Sequence, residues 1–252
     1  MGYATVLSEL DGKGIRTITL NRPDALNAMN GDLVRDVADA FNDANRDGDT
    51  KVIVFTGAGR AFCAGDDLVE HSHPETETAA REAVEAIQRA TDAIAFGDKV
   101  VVGAINGWAV GGGFEWAINC DFPIWARSAR AFFPELHWGM FVTGGVTALL
   151  PALTGLNTAR ELLFLGERHD ADTLHDMGVA WRVVEDDGLM DEARDVAARI
   201  AKLPQGAVHD MKRTLRSTAQ FDLKAAMALE TEATVRGFLD PDTIERIAEF
   251  QR

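Results

Sequence analysis

Lysine, tyrosine and cysteine are all scarce in this chain. Only six of its 25 basic residues are Lys, there is a single Tyr, and Cys63 and Cys120 are its only thiols. Two cysteines cannot make a disulfide framework and stand at no metal-ligand spacing, so they are expected to be small buried hydrophobes, and no metal is expected. Nowhere do apolar residues run unbroken for the ~18 positions a membrane span needs. The opening segment, MGYATVLSELDGKG, carries acids and glycines where a secretory signal carries basic and then apolar residues. The expectation is a soluble cytoplasmic protein with no membrane partner, and the low cysteine usage fits a reducing compartment.

Positive charge is short as well. Lys and Arg number 25 against 40 Asp and Glu, a net charge of −15. Such a surface repels polyphosphate backbones, so no nucleic-acid partner is expected. An anionic small ligand would have to meet a local group of arginines. Several familiar motifs are missing too. Gly107 and Gly111 to Gly113 do not space as GxGxxG, no Walker pattern occurs, and none of Ser8, Ser72, Ser128 and Ser217 lies in GxSxG. These absences argue against nicotinamide, nucleotide triphosphate and serine-hydrolase chemistry.

What is present is an ordinary globular composition: 252 residues, 46% apolar and 26% charged. A chain of this length buries roughly 70–75% of its unfolded surface and needs no staple to fold. Residues 4–20 alternate apolar and polar around Asp11-Gly12, which predicts a hairpin. After the turn-rich NRPDALNAMN (21–30), Leu33, Val37, Ala40 and Phe41 mark one face of a helix. Buried strands are expected at 51–56, 100–105 and 122–126. Residues 71–80, HSHPETETAA, read as a polar mobile loop leading into a helix over 80–95. From about Ala148 helical patterns dominate, apart from a strand over 179–184, and two last helices at 222–236 and 241–250 are separated by Asp240-Pro241. Strands alternating with helices predict an α/β layered core with a helical C-terminal extension. The boundary is expected between 195 and 196 within one overall domain.

Two of the strands run directly into glycines. One enters Ala64-Gly65-Asp66-Asp67 and the other Gly111-Gly112-Gly113, followed at once by the helix-like FEWAINC. Glycine leaves backbone N–H groups unshielded, and at a helix N-terminus those groups lack intrahelical partners and sit at the positive end of the dipole. Two such loops on adjacent strands could each aim one N–H at a single oxygen, forming an oxyanion hole. Alone, a glycine-rich strand-to-helix turn is usually just a tight turn. Glu115 follows the triple glycine, and an isolated acid there is ordinarily favoured by the dipole. Its neighbours Phe114, Trp116, Ala117 and Ile118 instead suggest a half-buried site. Glu135, flanked by Phe133, Leu136 and Trp138, is equally hard to place on a solvated face. Burial raises a carboxyl pKa and suits it to proton transfer near neutrality.

With these residues assembled, the chain resembles the enoyl-CoA hydratase/isomerase (crotonase) family over nearly its whole length. The resemblance is carried by NRPDALNAMN (21–30), FTGAGRAFCAGDDL (55–68), AINGWAVGGGFEWAINCDF (104–122), PELHWGM (134–140) and GGVTALLP (144–151). It implies a spiral of ββα units with C-terminal helices that assemble a homotrimer or a dimer of trimers. It also implies an acyl-CoA thioester substrate, with coenzyme A entering as part of the substrate and no separate cofactor. The thioester oxygen would be held by the backbone N–H groups of Asp66 and Gly112. Glu115 and Glu135 would be the two catalytic carboxylates of the hydratase branch, and Ala25, Leu26, Ala64, Asp67, Leu68 and Gly111 would line the acyl-CoA site. The implied reaction is hydration of a 2-enoyl-CoA. The alternatives are a 3-enoyl to 2-enoyl isomerase working through Glu135, or another acyl-CoA lyase of the same fold. A non-enzymatic or RNA-binding homologue is opposed by the net charge and by the retained pair of acids.

The sequence departs from the family pattern in places. Met140-Phe141-Val142-Thr143 stands where a proline is usual, which leaves the acyl group open. Leu68-Val69-Glu70 stands where fatty-acid hydratases often carry a lysine, so Arg22, Arg60 or an arginine of a neighbouring subunit become candidates for the CoA phosphates. Asp66 replaces a usual small residue and adds a charge near the thioester. His71 and His73 follow the first loop and are most simply surface residues. Trp108, Trp116, Trp125 and Trp138 could form an aromatic acyl pocket, although aromatics at these spacings more often build a core.

Overall fold

A computed structural model of the chain describes residues 2–70, 74–218 and 222–251. The hairpin closes on Asp11, whose carboxylate accepts from the Lys13 and Ile15 N–H groups at 2.8 and 2.9 Å. This pairs β1 (Val6–Leu10) antiparallel with β2 (Ile15–Leu20). Asn30 then caps α1 (Gly31–Arg46), accepting from the Leu33 N–H. There follow β3 (Val52–Gly57), β4 (Ala61–Cys63), α2 (Glu77–Ala95), β5 (Val100–Ile105), β6 (Trp108–Val110), α3 (Gly112–Asn119), β7 (Phe122–Ala126), β8 (Arg130–Phe132) and α4 (Glu135–Trp138). Beyond these lie α5 (Val146–Thr154), α6 (Leu156–Arg160), β9 (His169–Asp170), α7 (Ala171–Asp176), β10 (Arg182–Val184), α8 (Leu189–Ala201), α9 (Gln205–Thr218), α10 (Leu223–Phe238) and α11 (Pro241–Phe250).

The strands form two sheets. The larger runs β1-β2-β3-β5-β7-β10 and is parallel beyond the hairpin, with Val52 opposite Val100 and Thr56 opposite Ala104. The smaller runs β4-β6-β8-β9. Each turn of the chain therefore lays one strand in the large sheet, one short strand in the small sheet, and then a helix: β3-β4-α2, β5-β6-α3, β7-β8-α4. This is the expected spiral of ββα units. The small sheet holds the second strand of each unit, which the resemblance implies but the residue pattern alone does not show. Its strands are two or three residues long, too short to establish a period. The helix expected from 80 starts earlier, at Glu77, because Thr76 caps it by accepting from the Ala79 N–H at 3.1 Å. The strand expected over 179–184 contracts to Arg182–Val184. His71 and His73 lie outside the described residues.

Trp116 and Trp125 are fully buried, with Phe41, Phe55, Phe62 and Phe114, so these two tryptophans belong to the core. The division expected at 195/196 falls inside α8, which packs against β2, β3, β5 and β7. α9 is pinned by Lys212, whose buried ammonium lies 2.9 Å from Asp121 and donates to the Lys99 carbonyl at 2.8 Å. α10 packs on α2 and α5, which brings the C-terminal region over the glycine-rich loops. Among the described residues no helix is long and apolar enough to cross a membrane.

Candidate active site

The first loop is built by the turn before α1. Asn27 is fully buried at φ +56°, a conformation asparagine tolerates better than most residues. Its carboxamide accepts from the Arg22 N–H at 2.8 Å and donates to the carbonyls of Ala58 and Ala61 at 2.9 and 2.8 Å. The turn is thereby fastened to the loop between β3 and β4. Met29 completes the attachment, donating to the Gly65 carbonyl at 2.7 Å and accepting from the Asp67 N–H at 3.2 Å. Asp66 is held between these two bonds.

The second loop is fixed by close approach. A Cβ on Gly113 would stand 2.4 Å from the Cys63 carbonyl oxygen, so only glycine lets α3 begin against the end of β4. This contact brings the two loops together. Gly111 has φ +49°, and a Cβ there would lie 2.5 Å from Oε1 of Glu135. The first intrahelical bond of α3 runs from the Glu115 N–H to the Gly111 carbonyl at 2.9 Å. The N–H groups of Gly112, Gly113 and Phe114 precede it and have no intrahelical acceptor.

Asp66, Gly112, Glu115 and Glu135 all line one cavity of about 430 Å³. Both glutamates are buried more deeply than their neighbours suggested, at 2% and 8% exposure. Glu115 is held on both oxygens. The Thr143 N–H lies 3.1 Å from Oε1 and 3.2 Å from Oε2, and the Thr143 hydroxyl donates to Oε2 at 3.1 Å. Burial pushes this carboxyl well above the usual range, and repulsion from Glu135 and Glu230 pushes it further, against the Thr143 donors. Glu135 opens α4, and its Oε2 is buried with no hydrogen-bond partner among the described residues. Burial, with Asp66 nearby, lifts its pKa to about 7. Two buried acids in one cavity titrate as a pair. Such a pair keeps a proton near neutrality, next to backbone donors able to hold an oxyanion.

The other expected site residues divide. Ala64, Leu68 and Gly111 line the cavity. Asp67 instead pairs with Arg22 at 2.8 Å, and Ala25 and Leu26 sit on the preceding turn outside the cavity wall. Arg22 also contacts Glu70 at 2.9 Å and donates to the Ala28 carbonyl, so its guanidinium is already engaged. Arg60 is exposed and away from the cavity. Trp138 joins Phe132, Met140, Phe141 and Phe238 in the cavity wall, whereas Trp108 stands outside it against Phe132. Several residues of the site have little or no sequence signal. Thr143 falls in the 140–143 segment that the sequence ties to the acyl group but not to Glu115; Ile87, Thr234 and Phe238 arrive from α2 and α10, and Arg168 lines the cavity with its guanidinium over the Phe132 ring. Among the described residues no three His, Cys, Asp or Glu side chains gather as metal ligands.

Fold and site together define an α/β spiral of the crotonase type with two buried acids beside a glycine-built helix N-terminus. The profile of the enoyl-CoA hydratase/isomerase family matches residues 11–245, and the chain belongs to that family. It is 31% identical to the short-chain-enoyl-CoA hydratase of Clostridium acetobutylicum over 99% of this chain and 95% of that protein. It is 32% identical to the 1,2-epoxyphenylacetyl-CoA isomerase of Escherichia coli over 90% and 87%. Among solved structures, an enoyl-CoA hydratase from Mycobacterium avium subsp. paratuberculosis superposes with a TM-score of 0.89 at 27% identity, covering 98% of this chain and 99% of that one.

Proposed function

We propose that this protein is an enoyl-CoA hydratase that adds water reversibly across the 2,3 double bond of a 2-enoyl-CoA thioester. The observation that carries the proposal is the pairing of two buried carboxyls in one cavity under different hydrogen bonding. Burial raises the pKa of the Glu115 carboxyl, and the Thr143 donors oppose that rise by favouring its ionised form, the form in which it would take a proton. Glu135 has a buried oxygen without a donor and a pKa near 7, which suits it to give one. The Asp66 and Gly112 N–H groups would hold the thioester oxygen and stabilise the enolate, replacing water with fixed dipoles. Water oxygen bonds to C3 as Glu115 takes its proton, and Glu135 delivers a proton to C2. The product has gained one H2O, and the pair regains its starting state by proton exchange. Coenzyme A enters with the substrate, and no other cofactor is required.

An isomerase moving a 3-enoyl double bond to the 2 position is the second reading, because Glu135 combines a pKa near 7 with a buried oxygen that has no hydrogen-bond partner among the described residues, which suits it to shuttle a proton by itself. The two separate on adding the protein to crotonyl-CoA and following loss of the enoyl-thioester absorbance. Hydration with a fall of about 10²–10⁴-fold in both Glu115→Gln and Glu135→Gln supports the hydratase. An inert wild type that conjugates a 3-enoyl-CoA, with that activity kept in Glu115→Gln, assigns the isomerase instead. We also propose a homotrimeric assembly, supported by large apolar side chains left exposed in the C-terminal half, such as Phe164 at 70% and Leu229 at 73%. Light scattering reads the mass directly, and a monomer rejects this assembly.

A further inference from the structure

A third buried carboxylate lies behind the first two. Glu230, on α10, is 1% exposed and does not line the cavity. Its Oε2 accepts from the Gly145 N–H at 2.6 Å, and its Oε1 accepts from the Thr147 N–H at 2.9 Å and the Thr147 hydroxyl at 2.6 Å. These donors belong to the first turn of α5, whose N-cap residue is Gly145 at φ +72°. A glycine has no side chain with which to cap its own helix. Glu230 supplies the cap from another helix, and the charge sits at the favourable end of the α5 dipole.

The turn fixed in this way is the one that holds Glu115. Thr143 supplies the donors to the Glu115 carboxylate. Gly144 packs so closely on it that a Cβ would stand 2.6 Å from Oε2 of Glu115. The same turn is tied from two further sides. Gln88 of α2 donates to the carbonyls of Thr143 and Met227, at 3.1 and 2.8 Å, joining α2, the turn and α10. Asn119 donates to the carbonyls of Gly144 and Glu115, at 3.0 and 2.9 Å. No comparable tie reaches Glu135 from α10 among the described residues. We propose that Glu230 is a positioning residue for Glu115, locking the 143–147 turn so that its donors meet the Glu115 carboxylate. This rests on the assignment of Glu115 to water activation.

The test uses the full chain with Glu230→Ala, Glu115→Gln and the double variant. Glu230→Ala is expected to lower kcat for crotonyl-CoA by about 10–100-fold, since misplacement on the scale of 1 Å costs that much. KM is expected to stay within about twofold, because thioester binding uses other groups. In the double variant Glu230→Ala is expected to add nothing to the loss from Glu115→Gln, since both act on one group. An infrared readout is independent of turnover. The carboxylate stretching bands of ionised Glu115, assigned by their disappearance in Glu115→Gln, shift in Glu230→Ala as the Thr143 bonds lengthen, and the Glu135 band stays in place. Multiplying losses in the double variant, or an unmoved Glu115 band, overturns the proposal. A wild type that hydrates nothing defeats the hydratase assignment, while the infrared arm still decides the role of Glu230. Should Glu230→Ala fail to fold, Glu230→Gln keeps the volume and an acceptor for Thr147, and the same pattern at smaller amplitude is expected.

Discussion

Glu115 and Glu135 share a cavity but are supported in opposite ways. Glu115 projects from the first turn of α3 and is gripped by a turn that three helices hold still, with donors on both oxygens. Glu135 begins a four-residue helix, rests one oxygen against the Cα of Gly111, and leaves the other unbonded. Similar burial thus produces different acids. Burial favours the neutral form of both, and only Glu115 has side-chain and backbone donors from Thr143 that oppose it. Environment separates two chemically identical groups, and the proposed division of roles rests on that difference.

The sharpest way to break this contrast is to disturb the packing of Glu135 on the glycine loop. In Gly111→Ala the new methyl group would meet Oε1 of Glu135 at 2.5 Å, on a backbone at φ +49°. The methyl group displaces Glu135, and kcat for hydration is expected to fall by about 10²-fold. Gly31→Ala, where a Cβ meets nothing within 4 Å, is the control and should leave the rate unchanged. If the two variants behave alike, the packing of Glu135 on Gly111 has no catalytic consequence.

The contrast was only partly visible in the sequence. The long strands were legible because Val52–Gly57 and Val100–Ile105 are buried at every position, which produces continuous apolar runs. The small sheet was not, since a three-residue strand carries no period. The acids themselves stood out as charges among aromatics, and the glycines as loops at the ends of strands. Their supports could not be found this way. Thr143 lies 28 residues from Glu115, and Glu230 lies 85 residues from Gly145. Within LETEATVRG, Glu230 looks like any acid on the outer face of a helix. Only the packing of α10 on α5 shows that it faces inward.

Stability offers a second separation of the two acids. Raising the Glu135 carboxyl from its ordinary 4.5 to about 7 corresponds to about 3 kcal/mol of stability that is present below pH 4.5 and lost as pH rises through 7. The sign follows because the folded state holds the proton longer than the unfolded chain. Glu135→Gln removes that loss, so this variant should gain up to about 3 kcal/mol at pH 8 and nothing at pH 4.5. Urea unfolding at the two pH values checks it, and an equal effect at both rejects burial as the cause. Thr143→Val addresses the other acid. It deletes the hydroxyl donor at 3.1 Å from Glu115 and keeps the N–H. A hydrogen bond to a charged group is worth about 1.5–3 kcal/mol, so kcat should fall by about 10- to 100-fold. An unchanged kcat would remove Thr143 from the account of Glu115.

The smallest expected effect concerns Asp66, which contributes two separable things. Its backbone N–H is proposed to hold the thioester oxygen, while its side-chain charge helps raise the pKa of Glu135. Asp66→Ala keeps the first and deletes the second. With less repulsion Glu135 gives up its proton at lower pH, so the high-pH fall of hydration moves to lower pH. At pH 7 the rate drops by only about twofold to threefold, because a modest change in protonated fraction near the midpoint is all that alters. At pH 5.5, where Glu135 stays protonated in both proteins, the two rates should agree. Rates that differ by the same factor at every pH would mean that the substitution has disturbed the backbone donor instead. Asp66 would then be required by the loop that carries the donor rather than by the acid that faces it.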